Sequence, residues 1–259
     1  MDQIQKTINR IMTTQNYITS RNPDAMTTSP KTYECELCKD TEFTHNPETN
    51  TFKPCSCREA KRCKKLLELS GISGAFRGKT VNGYKPKNEQ QSLARNMAVE
   101  YIKNFEHIRN SRNNSTAFLG QVGAGKSHLT IAIANALLKQ GIGVRYMQYR
   151  EIITYLKQLI TDEYMYQSEI DKYKRCNVLL IDDIYKGATN QGRANESEMR
   201  IMFEIINHRY LAELPILVSG ERDIEAMISL DEATGSRIAE MCKGRVIVFK
   251  GKELNHRMG

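Results

Sequence analysis

Gly120-Gln-Val-Gly-Ala-Gly-Lys-Ser127 is the stretch that decides the fold. It fits GxxxxGK[ST] and lies between an apolar, strand-like segment, Thr116 to Leu119, and a strong helix former, His128 to Gln140. Strand, glycine loop and helix, in that order, are the context a phosphate-binding loop requires. Glycines let backbone N–H groups turn inward around a triphosphate without Cβ clashes, and the helix N-terminus adds partial positive charge. Gly120, Gly123, Ala124, Gly125 and the first helical residues through His128 are therefore the expected phosphate-binding set. Within it, Lys126 is expected to reach the β and γ phosphates and Ser127 to ligate Mg²⁺. A glycine-rich turn that merely caps a helix is the competing reading, and the flanking strand and helix weigh against it.

A second element follows in Asn177-Val-Leu-Leu-Ile-Asp182-Asp183, a buried strand ending in two carboxylates. A carboxylate at the C-terminal edge of a parallel strand faces the crevice where ligands sit in α/β sheets, so Asp182 is placed to hold Mg²⁺ through its water shell. Asp183 is placed to orient or deprotonate an attacking water. The bland alternative is an Asp-Asp turn that stops a strand. Together the two elements imply binding of a nucleoside triphosphate and its hydrolysis.

Composition fits that reading. A chain of 259 residues buries one good core and still carries a small appendage. The 38 Lys+Arg against 30 Asp+Glu, a formal charge of +8, favour a polyanionic partner such as nucleic acid. Met1-Asp-Gln-Ile-Gln-Lys lacks the apolar core of a signal peptide, and the longest apolar run, near Ile131 to Leu138, is too short to cross a bilayer. A cytoplasmic protein without a membrane partner is expected.

Five of the seven cysteines crowd together, as Cys35-x-x-Cys38, Cys55-x-Cys57 and Cys63, whereas Cys176 and Cys242 stand in apolar surroundings and read as core. Clustered cysteines in a cytosolic chain are metal ligands more often than disulfides. Cys35, Cys38, Cys55 and Cys57 can close a tetrahedral thiolate site for Zn²⁺. Because Cys-x-Cys is a tight spacing, Cys63 or His45 remains an alternative for one of the four positions. Reduced structural or redox-sensitive thiols are the competing reading.

Along the chain, residues 1–30 read as a short amphipathic helix with Ile4, Ile8, Ile11 and Met12 on one face, then a polar linker. Residues 31–75 hold the cysteines and a basic helix, Arg58 to Leu69. From residue 76 to 259 strands and helices alternate, which predicts a mostly parallel sheet with helices on both faces. Strands are expected at Thr116–Leu119, Val144–Tyr149, Val178–Ile181, Ile216–Ser219 and Val246–Phe249. Helices are expected at Ser92–Ile108, Lys126–Lys139, Arg150–Ile160, Glu163–Lys174, Glu196–Leu211, Ile224–Ile228 and Ser236–Lys243. This α/β pattern matches a small AAA+ P-loop core, and the little chain after the last strand leaves no room for a C-terminal lid. Asn207 and Arg209 read as exposed polar residues of an amphipathic helix, facing solvent, nucleic acid or another subunit. Tyr146, Tyr149, Tyr155, Tyr164, Tyr166 and Tyr173 read either as half-buried packing or as stacking surfaces for single-stranded bases.

Several further motifs extend the picture: Ser70-Gly71-Ile72 after the cysteines, Leu180-Ile-Asp-Asp-Ile184, Asn207-His-Arg-Tyr210, Asp231-Glu-Ala-Thr-Gly-Ser-Arg-Ile238 and Asn255-His-Arg257. With the glycine loop, they resemble the bacterial and phage replicative helicase loaders of the DnaC/DnaI type. The resemblance spans nearly everything from Cys35 to Arg257. It implies that Ser219 or Glu221 senses the γ-phosphate, because Gly220, at the usual sensor position, has no side chain. It implies that Arg237 is an arginine finger inserted into a neighbouring subunit's site, and that Arg257 contacts phosphate or that neighbour. It also implies an ATP-dependent loader that self-associates through the ATP site, holds a hexameric replicative DNA helicase by its zinc module and meets single-stranded DNA. Two other readings share the core: a transposition helper ATPase, which usually lacks a cysteine module, and a non-hydrolysing adaptor switched by ATP binding.

Overall fold

The computed structural model of the protein describes residues 33–187, 189–190, 193–251 and 254. The helix expected within residues 1–30 and the terminal Asn255-His-Arg257 lie outside them. The chain divides into two compact units, Met1–Cys55 and Ser56–Gly259, so the border expected after residue 75 falls inside the larger one.

In the smaller unit, β1 (Phe43–Asn46) pairs antiparallel with β2 (Thr51–Pro54), a hairpin the sequence reading did not anticipate. The Asp40 carboxylate accepts the backbone N–H groups of Glu34 at 3.1 Å and Cys35 at 3.0 Å, while Cys55 N–H reaches the Glu42 carbonyl at 2.9 Å. These bonds hold the two cysteine-bearing ends of the unit in fixed turns.

The larger unit runs α1 (Ser56–Leu69), α2 (Gly74–Arg77), α3 (Glu89–Ile108), β3 (Thr116–Gly120), α4 (Lys126–Lys139), β4 (Val144–Gln148), α5 (Tyr149–Leu159) and α6 (Glu163–Lys174). It continues through β5 (Val178–Ile184), a minimal hairpin of β6 (Thr189–Asn190) and β7 (Arg193–Ala194), α7 (Glu196–Leu211), β8 (Ile216–Gly220), α8 (Ile224–Leu230), α9 (Glu232–Met241) and β9 (Val246–Phe249). Five strands form one wholly parallel sheet in the order β4-β5-β8-β3-β9. The central strands β3, β5 and β8 are buried almost throughout, the continuous apolar character of parallel strands covered on both faces. Alternate residues feed two cores. Leu179, Ile181 and Val218 pack with Ile153, Ile170, Ile205 and Ile238 from α5, α6, α7 and α9. Val178, Leu180 and Leu217 pack with Ala98, Ile131 and Leu137 from α3 and α4 on the other face.

Element boundaries moved where side chains cap helix ends. Asn88 accepts Gln91 N–H at 2.9 Å and starts α3 early, Gln148 accepts Glu151 N–H at 2.8 Å and turns Tyr149 into a helix, and Asp231 accepts Thr234 N–H at 3.1 Å and starts α9 at Glu232.

Arg209 overturns its expected exposure. It is completely buried, and its guanidinium donates to five backbone carbonyls: Tyr173 (2.9 Å), Lys174 (3.1 Å), Cys176 (3.0 Å), Asn177 (3.4 Å) and Pro215 (2.7 Å). The first ones belong to the negative end of α6, which favours a cation. The others lead into β5 and β8, so one side chain of α7 ties down the starts of both strands. Arg209→Leu should therefore cost roughly 3 kcal/mol or more of stability, seen as a lower denaturant midpoint. Arg209→Lys should recover little, because an ammonium lacks the planar fork that spans both groups of carbonyls. A near-wild-type midpoint for the leucine variant would refute the role.

Candidate nucleotide-binding site

The site is built at the C-terminal edge of the sheet. β3 ends at Gly120, the loop turns, and α4 begins at Lys126 with Gly125 as its N-cap at φ 90°. Gly125 is needed twice over: its φ lies in the left-handed region, and a Cβ there would run into the Tyr84 ring. The same tyrosine donates its hydroxyl to the Ala124 carbonyl at 2.8 Å, bracing the loop from beneath. His128 donates from Nε2 to the Thr80 carbonyl at 2.9 Å, tying the first turn of α4 to the same preceding segment. Tyr84 carried no motif and was missed by sequence reasoning.

Lys126 points back into the loop, donating to the carbonyls of Gly120 and Gln121, both at 2.8 Å. Burial pulls its pKa down, opposed chiefly by the charges of Asp183 and Glu221. With Gly123, Gly125, Ser127 and His128 it lines a cleft of about 560 Å³ that also takes in Phe76, Tyr146, Asp182, Asp183, Lys186 and Glu221. The glycine loop and the two carboxylates, far apart in sequence, thus meet in one cavity.

Strand order explains how. β8 lies between β3 and β5, so Ser219 stands between the loop strand and the carboxylate strand. Its hydroxyl donates to Asp182 Oδ1 and accepts the Asp183 N–H at 3.1 Å. On the other side, the Tyr146 hydroxyl of β4 donates to Asp182 Oδ2 at 3.1 Å. Both Asp182 oxygens are therefore oriented by hydroxyls from flanking strands, a fixed arrangement suited to a hydrated Mg²⁺ beside Ser127. Burial, and then the Asp182 charge, raises the Tyr146 pKa, which keeps that hydroxyl a proton donor.

The pairing of β5 with β8 is irregular between Ile181 and Ile184, and Asp183 adopts φ 56°. This bulge swings Asp183 away from Asp182 toward the cleft, where its carboxylate pairs with Lys186 at 2.8 Å. Lys186 also reaches Glu221 at 3.2 Å. At Gly220 a Cβ would press on Ile184 Cγ2 at 2.8 Å, so the packing of β8 on β5 favours a residue without a side chain there. Arg237 does not line this cleft; it sits on α9. Arg257 lies outside the described residues.

The sulfurs of Cys35, Cys38, Cys55 and Cys57 all lie within 4.8 Å of one another, those of Cys35 and Cys55 at 3.8 Å. A tetrahedral thiolate site with Zn–S of about 2.3 Å has S···S edges of about 3.8 Å, so the cluster fits zinc. The two alternative ligands are engaged elsewhere: His45 meets Asn50 at 3.0 Å and Cys63 faces the Lys139 carbonyl at 3.5 Å.

A glycine loop at the end of one strand, a carboxylate strand two positions away and, between them, an apolar strand that ends in Ser219 define a P-loop core of the AAA+ type. Residues 53–225 match the family model described as IstB-like ATP binding protein, and the chain belongs to that family. It is 35% identical over 233 residues to the phage-like element PBSX protein XkdC of Bacillus subtilis, covering 87% of this chain and 86% of that one. It is 24% identical over 172 residues to the replicative helicase loader DnaC of Escherichia coli, 66% of each chain. The crystal structure of the DnaC helicase loader superposes with a TM-score of 0.56 at 21% identity, over 69% of this chain and all of that one. Among the described residues, no helix is long and apolar enough to cross a membrane.

Ser219→Ala removes a hydrogen bond to a charged oxygen and should weaken Mg²⁺-dependent nucleotide affinity about tenfold. Fluorescent-nucleotide titration with Mg²⁺ and with EDTA checks this. The loss should be confined to the Mg²⁺ arm; an equal loss in both arms would mean that Ser219 does not act through Asp182.

Proposed function

We propose that the protein is an ATP-hydrolysing loader that delivers a ring-shaped replicative DNA helicase to single-stranded DNA. What carries the reading is one combination: an ATPase core similar to a replicative helicase loader, with four clustered thiols immediately ahead of it. In this reading Lys126 and Ser127 hold the phosphates and Mg²⁺, Asp182 supports the metal, and Asp183 positions the attacking water. Ser219 acts indirectly by orienting Asp182, while Glu221, at the mouth of the cleft, remains the side chain available to sense the γ-phosphate. Arg237 neutralises charge on the transferring phosphoryl group of a neighbouring subunit, and Arg257 contacts phosphate or that neighbour. Zinc held by Cys35, Cys38, Cys55 and Cys57 keeps the module rigid for gripping the helicase. ATP-bound subunits associate with one another and with single-stranded DNA, and hydrolysis frees the helicase.

A second reading, a transposition helper ATPase, is favoured by the family model itself. The cysteine cluster favours the loader.

The zinc assignment is checked by elemental analysis: the purified protein should carry about one zinc per chain, lost in Cys38→Ser. Metal-free protein with unchanged thermal stability would refute it. The loader is tested by steady-state ATP hydrolysis with helicase and single-stranded DNA, using Arg237→Ala and Lys126→Ala alone and mixed. Each variant alone should lose at least about tenfold in rate, and the mixture should regain activity, because one supplies an intact loop and the other an intact arginine. Stimulation by a transposase but not by helicase would instead select the helper. Binding of ATP without single-turnover hydrolysis in the presence of DNA would select the adaptor.

A further inference from the structure

The Asn207-His-Arg-Tyr210 motif has two faces. Arg209 turns into the core, as described above. Phe203, Asn207 and Tyr210, spaced i, i+4 and i+7, form a stripe on the opposite side of α7. Arg237, on α9, lies across that stripe. Its Nε donates to Asn207 Oδ1 at 3.1 Å, and its Nη1 to the Ala233 carbonyl at 2.6 Å. Its guanidinium carbon stands 5.0 Å from the centre of the Phe203 ring and 5.5 Å from that of Tyr210. The Tyr210 ring is held in turn by its hydroxyl's bond to Glu240 at 2.8 Å.

We infer that Asn207, with the Phe203 and Tyr210 rings, is the positioning site for Arg237, fixing the guanidinium before a neighbouring subunit's nucleotide arrives. The inference rests on the assignment of Arg237 to the neighbour's site. The chemistry favours it in three ways. An unsupported arginine has several rotatable bonds, and ordering it at the moment of contact costs entropy that a preformed cradle has already met. Asn207 is neutral, so it orients the guanidinium without cancelling the charge that would face a phosphate; an aspartate there would form an ion pair. The bonds described occupy Nε and Nη1, leaving Nη2 without a hydrogen-bond partner among the described residues and so able to donate to an oxyanion.

The test exploits the direction of the contact. In mixtures, Arg237→Ala subunits accept an arginine and Lys126→Ala subunits donate one. Adding Asn207→Ala to the donor should lower the restored rate about tenfold, as expected for a misplaced charged group. Placing the same substitution in the acceptor should leave the restored rate as it was, which also shows that the variant folds and binds ATP. Asn207→Asp in the donor should be similarly impaired, although its hydrogen-bonding oxygen is retained. Tyr210→Phe in the donor keeps the ring and should retain most activity, whereas Tyr210→Leu should not. Full restoration by the Asn207→Ala donor would overturn the inference while leaving Arg237 as the finger. Equal loss in donor and acceptor would reduce Asn207 to a structural role. Wild-type activity of Arg237→Ala on its own would overturn the finger assignment and the cradle together.

Discussion

A single hydroxyl, that of Ser219, is the constraint on which the site depends. It lies on the strand between the phosphate-loop strand and the carboxylate strand, and it bonds to both residues of the acidic pair. Through it Asp182 is pinned at the sheet edge while the chain is obliged to bulge, and the bulge turns Asp183 into the cleft. Two adjacent carboxylates would otherwise repel each other or alternate across the strand. Here the backbone separates them into one held by neutral hydroxyls and one held by a lysine. Similar side chains thereby acquire different surroundings.

Much of this was legible in the sequence because it is local. The glycine loop needs only its own spacing, and the parallel strands announce themselves as uninterrupted apolar runs. The cysteine spacing indicated a metal cluster but left its fourth position open among Cys57, Cys63 and His45. What escaped was set by strand pairing. Tyr146 could not be connected to Asp182 until β4 was seen beside β5, since nothing in a tyrosine-rich stretch marks one ring as special. The extension of β5 through Ile184 likewise depends on its neighbour β8.

Arg209 was misread for a different reason. Met202, Ile205, Ile206 and Arg209 follow the i, i+3, i+4, i+7 spacing of a buried face, so the signal was present. Reading the arginine by its charge rather than by its place in that stripe put it on the surface. A polar residue that completes an apolar stripe is buried when backbone acceptors are waiting for it, and here the end of α6 and the leads into two strands supply them. Helix α7 consequently places a polar side chain on each of two faces for unrelated reasons, Arg209 toward the interior and Asn207 toward α9.

Every oxygen that Arg209 engages belongs to the main chain, so that part of the lock does not depend on which side chains stand there; position 176 differs, because the Cys176 thiol also meets the guanidinium at 3.3 Å. Composition there is constrained only by each side chain's other contacts, such as the place of Tyr173 in the core. The number of residues is not free: one residue inserted between the end of α6 and the start of β5 would shift the carbonyls out of register with the guanidinium. The connection should therefore be rigid in length, a signature that would be seen in gap placement.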